Sequence, residues 1–381
     1  MPGKTPNMAA EGEASGIGGD WRAVWAERLS RRNLAKLAYG LAVGAAGGWA
    51  AEEAGMPLAW MLGALFACMA FSVAGQPVMV PIWLRMIFMG LIGLFLGESF
   101  TADAAAQLSR WPATILMAVA YVPTGAAACY LLFRHAARMP RGTALLSGLP
   151  GGMTAVAIFA QGLGGDERQV ALSQSMRVAF VVLLAPAIAF GLLGLPAPTA
   201  ETYAAEIPIS WADAGLLAAA STVLALGAAR MRWPLPYLIG PLIASAALRF
   251  PGVVEGQLPA WLVELALLVC GASIGTRFAG VKMGVFAATL GWTFVGTCVL
   301  MAISAVFGLA AQWLVGVDLF AAMLAFAPGG VAEMSLIAIA IDADPGFVAT
   351  HHMARIFAIL FALPLIAGRL GRWMEGGDKR R

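Results

Sequence analysis

Apolar residues in this chain neither alternate nor mark a single helical face. They run in long blocks that are apolar all round, divided by short stretches of Arg, Lys, Pro, Gly and acidic residues. Blocks close to the roughly 20 residues needed to cross hydrocarbon predict membrane helices, because a surface helix of a soluble protein would keep a polar stripe. Twelve segments can be read in two sets of six, lettered a to f. The first set lies near 37–51, 58–75, 82–99, 112–133, 142–164 and 168–195, and the second near 211–229, 234–250, 259–277, 283–315, 319–341 and 346–368. Segment e stands apart, since Pro150-Gly151-Gly152 and Pro328-Gly329-Gly330 fall near its middle. Proline removes a helix hydrogen bond and glycine frees the backbone, so a break is predicted at both places.

The two sets are one unit written twice. Gly148-Leu-Pro-Gly-Gly-Met-Thr-Ala matches Phe326-Ala-Pro-Gly-Gly-Val-Ala-Glu, with Pro150 and Pro328 lying 178 residues apart. The same offset pairs Arg177 with Arg355, Pro186 with Pro364, Trp83 with Trp261 and Gly97 with Gly275. With one residue of slip, Pro57-Leu58-Ala59-Trp60 pairs with Pro234-Leu235-Pro236-Tyr237, which suits helix starts carrying interfacial aromatics. The expected organisation is a flexible cytoplasmic tail over 1–33, membrane repeat 1 over 34–195, a linker over 196–210, membrane repeat 2 over 211–373 and a basic cytoplasmic tail over 374–381. The fold class expected is an all-α polytopic membrane protein of two homologous repeats. They are read as inverted, each with about five spanning helices plus one broken or re-entrant Pro-Gly-Gly segment.

Composition narrows the function. With 60% hydrophobic and 12% charged residues among 381, and a mean hydropathy of +0.81, the chain cannot hide its apolar surface in one water-soluble globule. A net charge of +3, with basic residues at segment ends, argues against nucleic acid as a partner. Cys68, Cys129, Cys270 and Cys298 stand singly in apolar runs and read as packing residues. The first 33 or so residues contain no apolar core run before a small-residue cleavage site, so a signal peptide is not expected.

Positive charges favour the cytoplasmic side of short loops. If all twelve segments cross, 16 Lys and Arg lie inside and six outside, the outside set including Arg277, with Arg177 and Arg355 in the membrane. If segment e is a hairpin that returns to its own face, the tally is 20 inside and two outside, Arg110 and Arg249. The hairpin is the better fit. It gives five crossings per repeat, an inverted second repeat and both termini in the cytoplasm.

Backbone broken inside lipid must be buried in protein or line a wet cavity. A helix restarting after Gly152 or Gly330 offers free N–H groups to an anion or polar ligand; close helix packing around the glycines is the plain alternative. Arg177 and Arg355 each follow their repeat's proline by 27 residues. A cation at that depth costs ~2.5–3.5 kcal/mol on insertion scales and faces an interior partner or snorkels to the interface. Gln174 and Ser173, like His352 and His351, lie three and four residues before the arginines on the same helix face. Glu333, aligned with Ala155, sits in the first turn after the second break, where a carboxylate caps N–H groups, pairs with Arg355, or serves as a proton or sodium site. Thr154 and Ser335 are hydroxyl candidates at the breaks. The expected substrate-binding set is therefore Gly151, Gly152, Thr154, Gln174, Arg177, Gly329, Gly330, Glu333, Ser335, His351, His352 and Arg355.

The duplicated Pro-Gly-Gly unit, the Pro-Leu-x-(Trp/Tyr)-x-x-Gly motif and the later arginine resemble the AbrB family of bacterial inner-membrane proteins. That family is distinct from the similarly named DNA-binding factors, and some members are labelled ammonia monooxygenase or regulator. The resemblance implies a bacterial inner-membrane location. It also implies similarity to the larger cation/proton antiporter and anion transporter group, in which broken helices cross at the substrate site. The paired intramembrane aspartates used by many antiporters of that group are missing, which argues against cation-for-proton exchange.

A monooxygenase needs clustered metal ligands, whereas only three histidines occur and His351 and His352 point about 100° apart on a helix. No enzyme activity, cofactor or metal is expected, and no GxxxxGK[ST] motif suggests ATP use. The expectation is a secondary transporter working by alternating access on a small anionic or polar organic solute, coupled to a proton or sodium gradient. The alternative is a membrane regulator or scaffold without transport. Expected partners are the solute, a proton or sodium ion and the lipid bilayer, with room for a homodimer.

Overall fold

The computed structural model describes residues 30–98, 111–151, 156, 164–192, 194, 208–281, 283–341 and 343–378. Among these the chain is helical, with a single isolated bridge between Pro208 and Gln257. The helices of the first half are α1 (Arg31–Glu53), α2 (Ala59–Val73), α3 (Ile82–Glu98), α4 (Trp111–Leu131), α5 (Arg141–Gly148) and α6 (Glu167–Pro186). Those of the second are α7 (Trp211–Arg230), α8 (Pro236–Arg249), α9 (Ala260–Gly275), α10 (Met283–Val315), α11 (Leu319–Phe326), α12 (Val331–Ala340) and α13 (Pro345–Asp378). π-Helical turns extend α4 to Ala136 and α6 to Leu192.

Local chemistry sets many of these boundaries. Side chains of Ser30, Asp166, Ser210 and Asp318 accept hydrogen bonds from the first-turn N–H groups of α1, α6, α7 and α11. The Pro-Leu motifs do begin helices, and both leucines preceding them are left-handed, Leu58 at φ 52° and Leu235 at φ 49°. A branched side chain there costs about 1–2 kcal/mol, so surrounding packing holds the same strained corner in both halves. α1 starts inside the expected 1–33 tail, and α13 runs through most of the expected 374–381 tail. Residues 196–207 of the linker lie outside the described residues.

Among the described residues, five stretches are long and apolar enough to cross a bilayer: Trp111–Ala136, Glu167–Leu192, Trp211–Arg230, Trp261–Phe278 and Met283–Val315. The expected ten crossings are met in part. α2 and α8 have 15 and 14 residues, so at 1.5 Å per residue they fall short of the ~30 Å of hydrocarbon.

Helices of the two halves interlock. α3 packs along α8, and α2 packs along α9. Gly93 and Gly97 of α3 lie against Leu238, Leu242 and Ser245 of α8; Gly271 and Gly275 of α9 lie against Met61, Leu65 and Cys68 of α2. Small residues four apart let helix backbones meet closely in lipid, where no hydrophobic effect drives association. A hydrogen bond of 2.9 Å from Ser245 Oγ to Leu94 O fastens one of these contacts. α1 and α7 cover α2 and α8. The remaining helices form a second bundle in which α4 packs on α10 and α13, α6 packs on α10, and α11 fits between α10 and α13.

Both segments e are broken inside this second bundle. α5 stops at Gly148, before Pro150. α11 stops at Phe326, and α12 begins only at Val331. With eight, eight and ten residues, none of the three is long enough to span. In the first half the two ends of segment e meet, since Asp166 N–H donates to Thr143 Oγ1 at 3.0 Å.

Candidate functional site

A helix that stops leaves its last carbonyls without partners. At both breaks an arginine from the following long helix supplies the missing donors. Arg177 of α6 donates from Nη1 to Leu149 O (2.8 Å) and from Nη2 to Gly151 O (3.3 Å) and Gln174 Oε1 (2.5 Å). Arg355 of α13 donates from Nη1 to Ala327 O (2.8 Å) and from Nη2 to Gly329 O (3.2 Å) and His352 Nδ1 (2.7 Å). Gln174 Nε2 then donates to Leu146 O at 2.7 Å, and His352 Nε2 meets Leu324 O at 2.9 Å. Each of these four bonds has its counterpart 178 residues along the chain.

The chemistry fixes the histidine. A guanidinium only donates, so Nδ1 of His352 accepts and Nε2 carries the proton given to Leu324 O. His352 thus performs, as a neutral imidazole, what the amide of Gln174 does in the other half. His352→Gln is therefore expected to stay within about 1 kcal/mol of the parent, whereas His352→Leu, which strands Leu324 O, loses roughly 2 kcal/mol. Thermal unfolding in detergent would separate the two.

Neither arginine snorkels: Arg177 is 4% and Arg355 2% exposed. Their interior partners are backbone carbonyls at the negative ends of α5 and α11, where a cation is favoured. Within the two arginine networks, one bond crosses between the halves, from Arg177 Nε to Pro328 O at 3.1 Å. Its counterpart is not formed, since Arg355 Nε is buried with no partner among the described residues. Arg355 also lies over the Tyr121 ring, 5.8 Å from its centroid, a cation–π contact. Ser304 Oγ lies 2.9 Å from Phe326 O and 3.3 Å from the Tyr121 hydroxyl, and its single proton serves one of the two at a time. Tyr121 and Ser304 were not among the residues expected at the site. Their only signal was polarity within apolar runs.

The other expected residues divide. His351 makes no bond to the arginines: it bonds Phe347 O (2.7 Å) and Thr114 Oγ1 (2.8 Å), packs on the Phe347 ring at 3.9 Å and meets the Phe326 ring edge-on at 6.2 Å. It ties α13 to α4 rather than joining the arginine cluster. Ser335 is fully buried, and its hydroxyl has no partner among the described residues. Glu333 makes no ion pair with Arg355, whose Nη1 and Nη2 groups are directed to carbonyls and His352. Its carboxylate folds over Gly330, where any side chain would collide with it, and shares a cleft with Arg85 and Arg277. Gly152 and Thr154 lie outside the described residues.

The family model described as "Transition state regulatory protein AbrB" matches residues 60–371. A Bacillus subtilis (strain 168) protein, "Uncharacterized protein YhjN", is 29% identical over 360 residues, covering 87% of this chain and 92% of its own. AbrB of Escherichia coli (strain K12), a candidate regulator by its name, is 26% identical over 313 residues, covering 82% of this chain and 90% of its own. A match spanning most of the helical framework, including both Pro-Gly-Gly breaks and both arginines, means that this chain belongs to the AbrB family.

Proposed function

We propose that this protein is a secondary transporter of the bacterial inner membrane, moving a small anionic or polar organic solute by alternating access on a proton or sodium gradient. The observation that carries the reading is the recurrence of the same arginine–carbonyl network at two intramembrane breaks. Interrupted helices are costly in lipid and are retained where they border a polar compartment. Two homologous repeats of opposite orientation would bring their breaks to the bilayer midplane from opposite faces. Pro328 O, bonded by Arg177, already joins one break to the other half.

Two contacts support the inverted arrangement. The bond between Asp166 and Thr143 suits a segment e that enters and leaves by one face. Arg85 and Arg277 line a common cleft, which suits the hairpin threading that puts both on the cytoplasmic side. The twelve-crossing threading would place them on opposite faces. Single cysteines at His135 and Arg168, in a background without native cysteines, should resist an impermeant thiol reagent applied outside intact cells. Cysteines at Gln312 and Ala343 should react. Opposite behaviour of His135 and Arg168 would reject the hairpin.

The function itself is tested in proteoliposomes. Small carboxylates are expected to accumulate only under an imposed proton or sodium gradient, with collapse on adding an ionophore. The regulator reading, suggested by the name of the Escherichia coli relative, takes over if no solute in a broad panel accumulates under either gradient.

A further inference from the structure

The arginine networks occur once in each half, but the buried cluster around His351 has no counterpart. By the repeat offset His351 of α13 corresponds to Ser173, and Thr114 of α4 corresponds to Trp292. His351 and Thr114 are both 0% exposed. Nδ1 lies 2.7 Å from Phe347 O and Nε2 lies 2.8 Å from Thr114 Oγ1, which in turn lies 2.9 Å from Trp111 O. A carbonyl only accepts, so Nδ1 carries a proton, and Nε2 of the neutral ring accepts the one hydroxyl proton of Thr114. When a second proton reaches Nε2, the Thr114 oxygen accepts it and turns its own proton to Trp111 O. Every acceptor that the charged ring needs is thus already at hydrogen-bond distance, and no heavy atom has to move. The Phe347 ring, 3.9 Å away between centroids, offers the charged ring a cation–π contact. Trp111 closes another side at 6.3 Å.

We infer that His351 is a proton-binding site, held ready by Phe347 O, Thr114 and Trp111 O. In the transport reading, on which this role rests, it holds the driving proton. The proton adds to the Nε2 lone pair, the ring gains one positive charge, and nothing else is gained or lost. The charged or titratable groups around it are Arg355 and His352 on its own helix, Asp344 at the head of that helix and Tyr121 further along α4. α11, which meets the ring through Phe326, carries none. Arg110 lies outside the described residues. Burial and the positive charge of Arg355, one turn on, oppose a charged ring. An anion drawn to the second break offsets Arg355, so solute and proton favour each other's binding, as cotransport requires.

Nitrogen-15 NMR reads the ring directly, in full-length protein carrying His135→Gln and His352→Gln, which leaves His351 as the only histidine. At about pH 8 the label should show a proton on Nδ1 and a bare Nε2, and on acidification to about pH 4 both nitrogens should carry protons while the fold persists. Thr114→Val takes more from the charged ring than from the neutral one, because a hydrogen bond to a charged group is the stronger. It should lower the midpoint by about one pH unit, and Thr114→Ser should restore it. A ring protonated on Nε2 at about pH 8, one that stays neutral to about pH 4, or one that charges only as the protein unfolds overturns the site. An unchanged midpoint in Thr114→Val does so as well; should that variant not fold, the parent titration decides alone. Transport fails separately: titration without uptake of any small carboxylate keeps the site and removes the carrier, and uptake without titration does the reverse. Where a carboxylate accumulates on a proton gradient, His351→Gln should reduce accumulation to equilibration, and undiminished accumulation in that variant removes the driving role.

Discussion

Replacing Arg177 with Ala is expected to destabilise the protein by roughly 4 kcal/mol, the largest effect of any single side chain at the breaks. The substitution removes every donor that Arg177 gives to Leu149 O, Gly151 O and Pro328 O, and strands the Gln174 amide oxygen. Buried polar groups left without a partner cost about 1–3 kcal/mol each, and neither lipid nor the adjacent aliphatic side chains can replace the lost donors. Arg177→Lys should recover less than half of the loss, because one ammonium cannot reach a fan of acceptors laid out for a planar fork. Arg355→Ala should cost somewhat less, since its Nε makes no cross-half bond to lose. Thermal and denaturant unfolding of purified protein would rank the three variants. A change below about 0.5 kcal/mol in Arg177→Ala, the range of an ordinary surface substitution, would mean that the guanidinium does not hold the break. If the variant still folds at lower temperature, its uptake activity reports whether an intact break is needed for transport.

Much of this architecture could be read from local rules. Pro-Gly-Gly forbids a continuous helix whatever its neighbours, so both breaks were legible, and the start and end of α10 fell where the apolar run began and ended. Helical spacing put Gln174 and His352 on the same face as their arginines, and the repeat offset paired them before any contact was known. Spacing does not say which way a face points. The arginines were expected to face an interior partner or the interface, and the partners proved to be carbonyls of a separate helix end. Glu333 was a reasonable partner for Arg355 by sequence position, yet its direction depends on how α12 is rotated against α3 and α9. Arg85 and Arg277 looked like charges at segment ends, and only the packing of distant helices brings them into one cleft. His351 and His352, adjacent in sequence, separate because a helix turns about 100° per residue. One ring enters the break network and its neighbour packs on Phe347.

Gly271→Ala should be nearly as damaging as loss of Arg177, for a reason unrelated to charge. A methyl group there would run into the backbone carbonyl of Met61, which cannot rotate aside as a side chain end could. α9 would have to move off α2, loosening Gly275 against Leu65 and Cys68 one turn further along. Overpacking of this kind costs about 1–3 kcal/mol and more where backbone is in the way. The gain of up to 1 kcal/mol from replacing glycine by alanine in a helix would not offset it. Gly291→Ala on α10 is the matched control, since nothing lies within 4 Å of the added methyl; it should be neutral or slightly stabilising. Gly93→Ala should repeat the Gly271 result, because its methyl meets Leu238 O of α8 in the corresponding contact between α3 and α8. These two contacts join helices of opposite halves, so loosening either should also alter the cleft between α3, α9 and α12. Thermal unfolding of the three variants side by side decides the matter, and equal shifts for Gly271→Ala and Gly291→Ala would show that the halves do not interlock through these glycines.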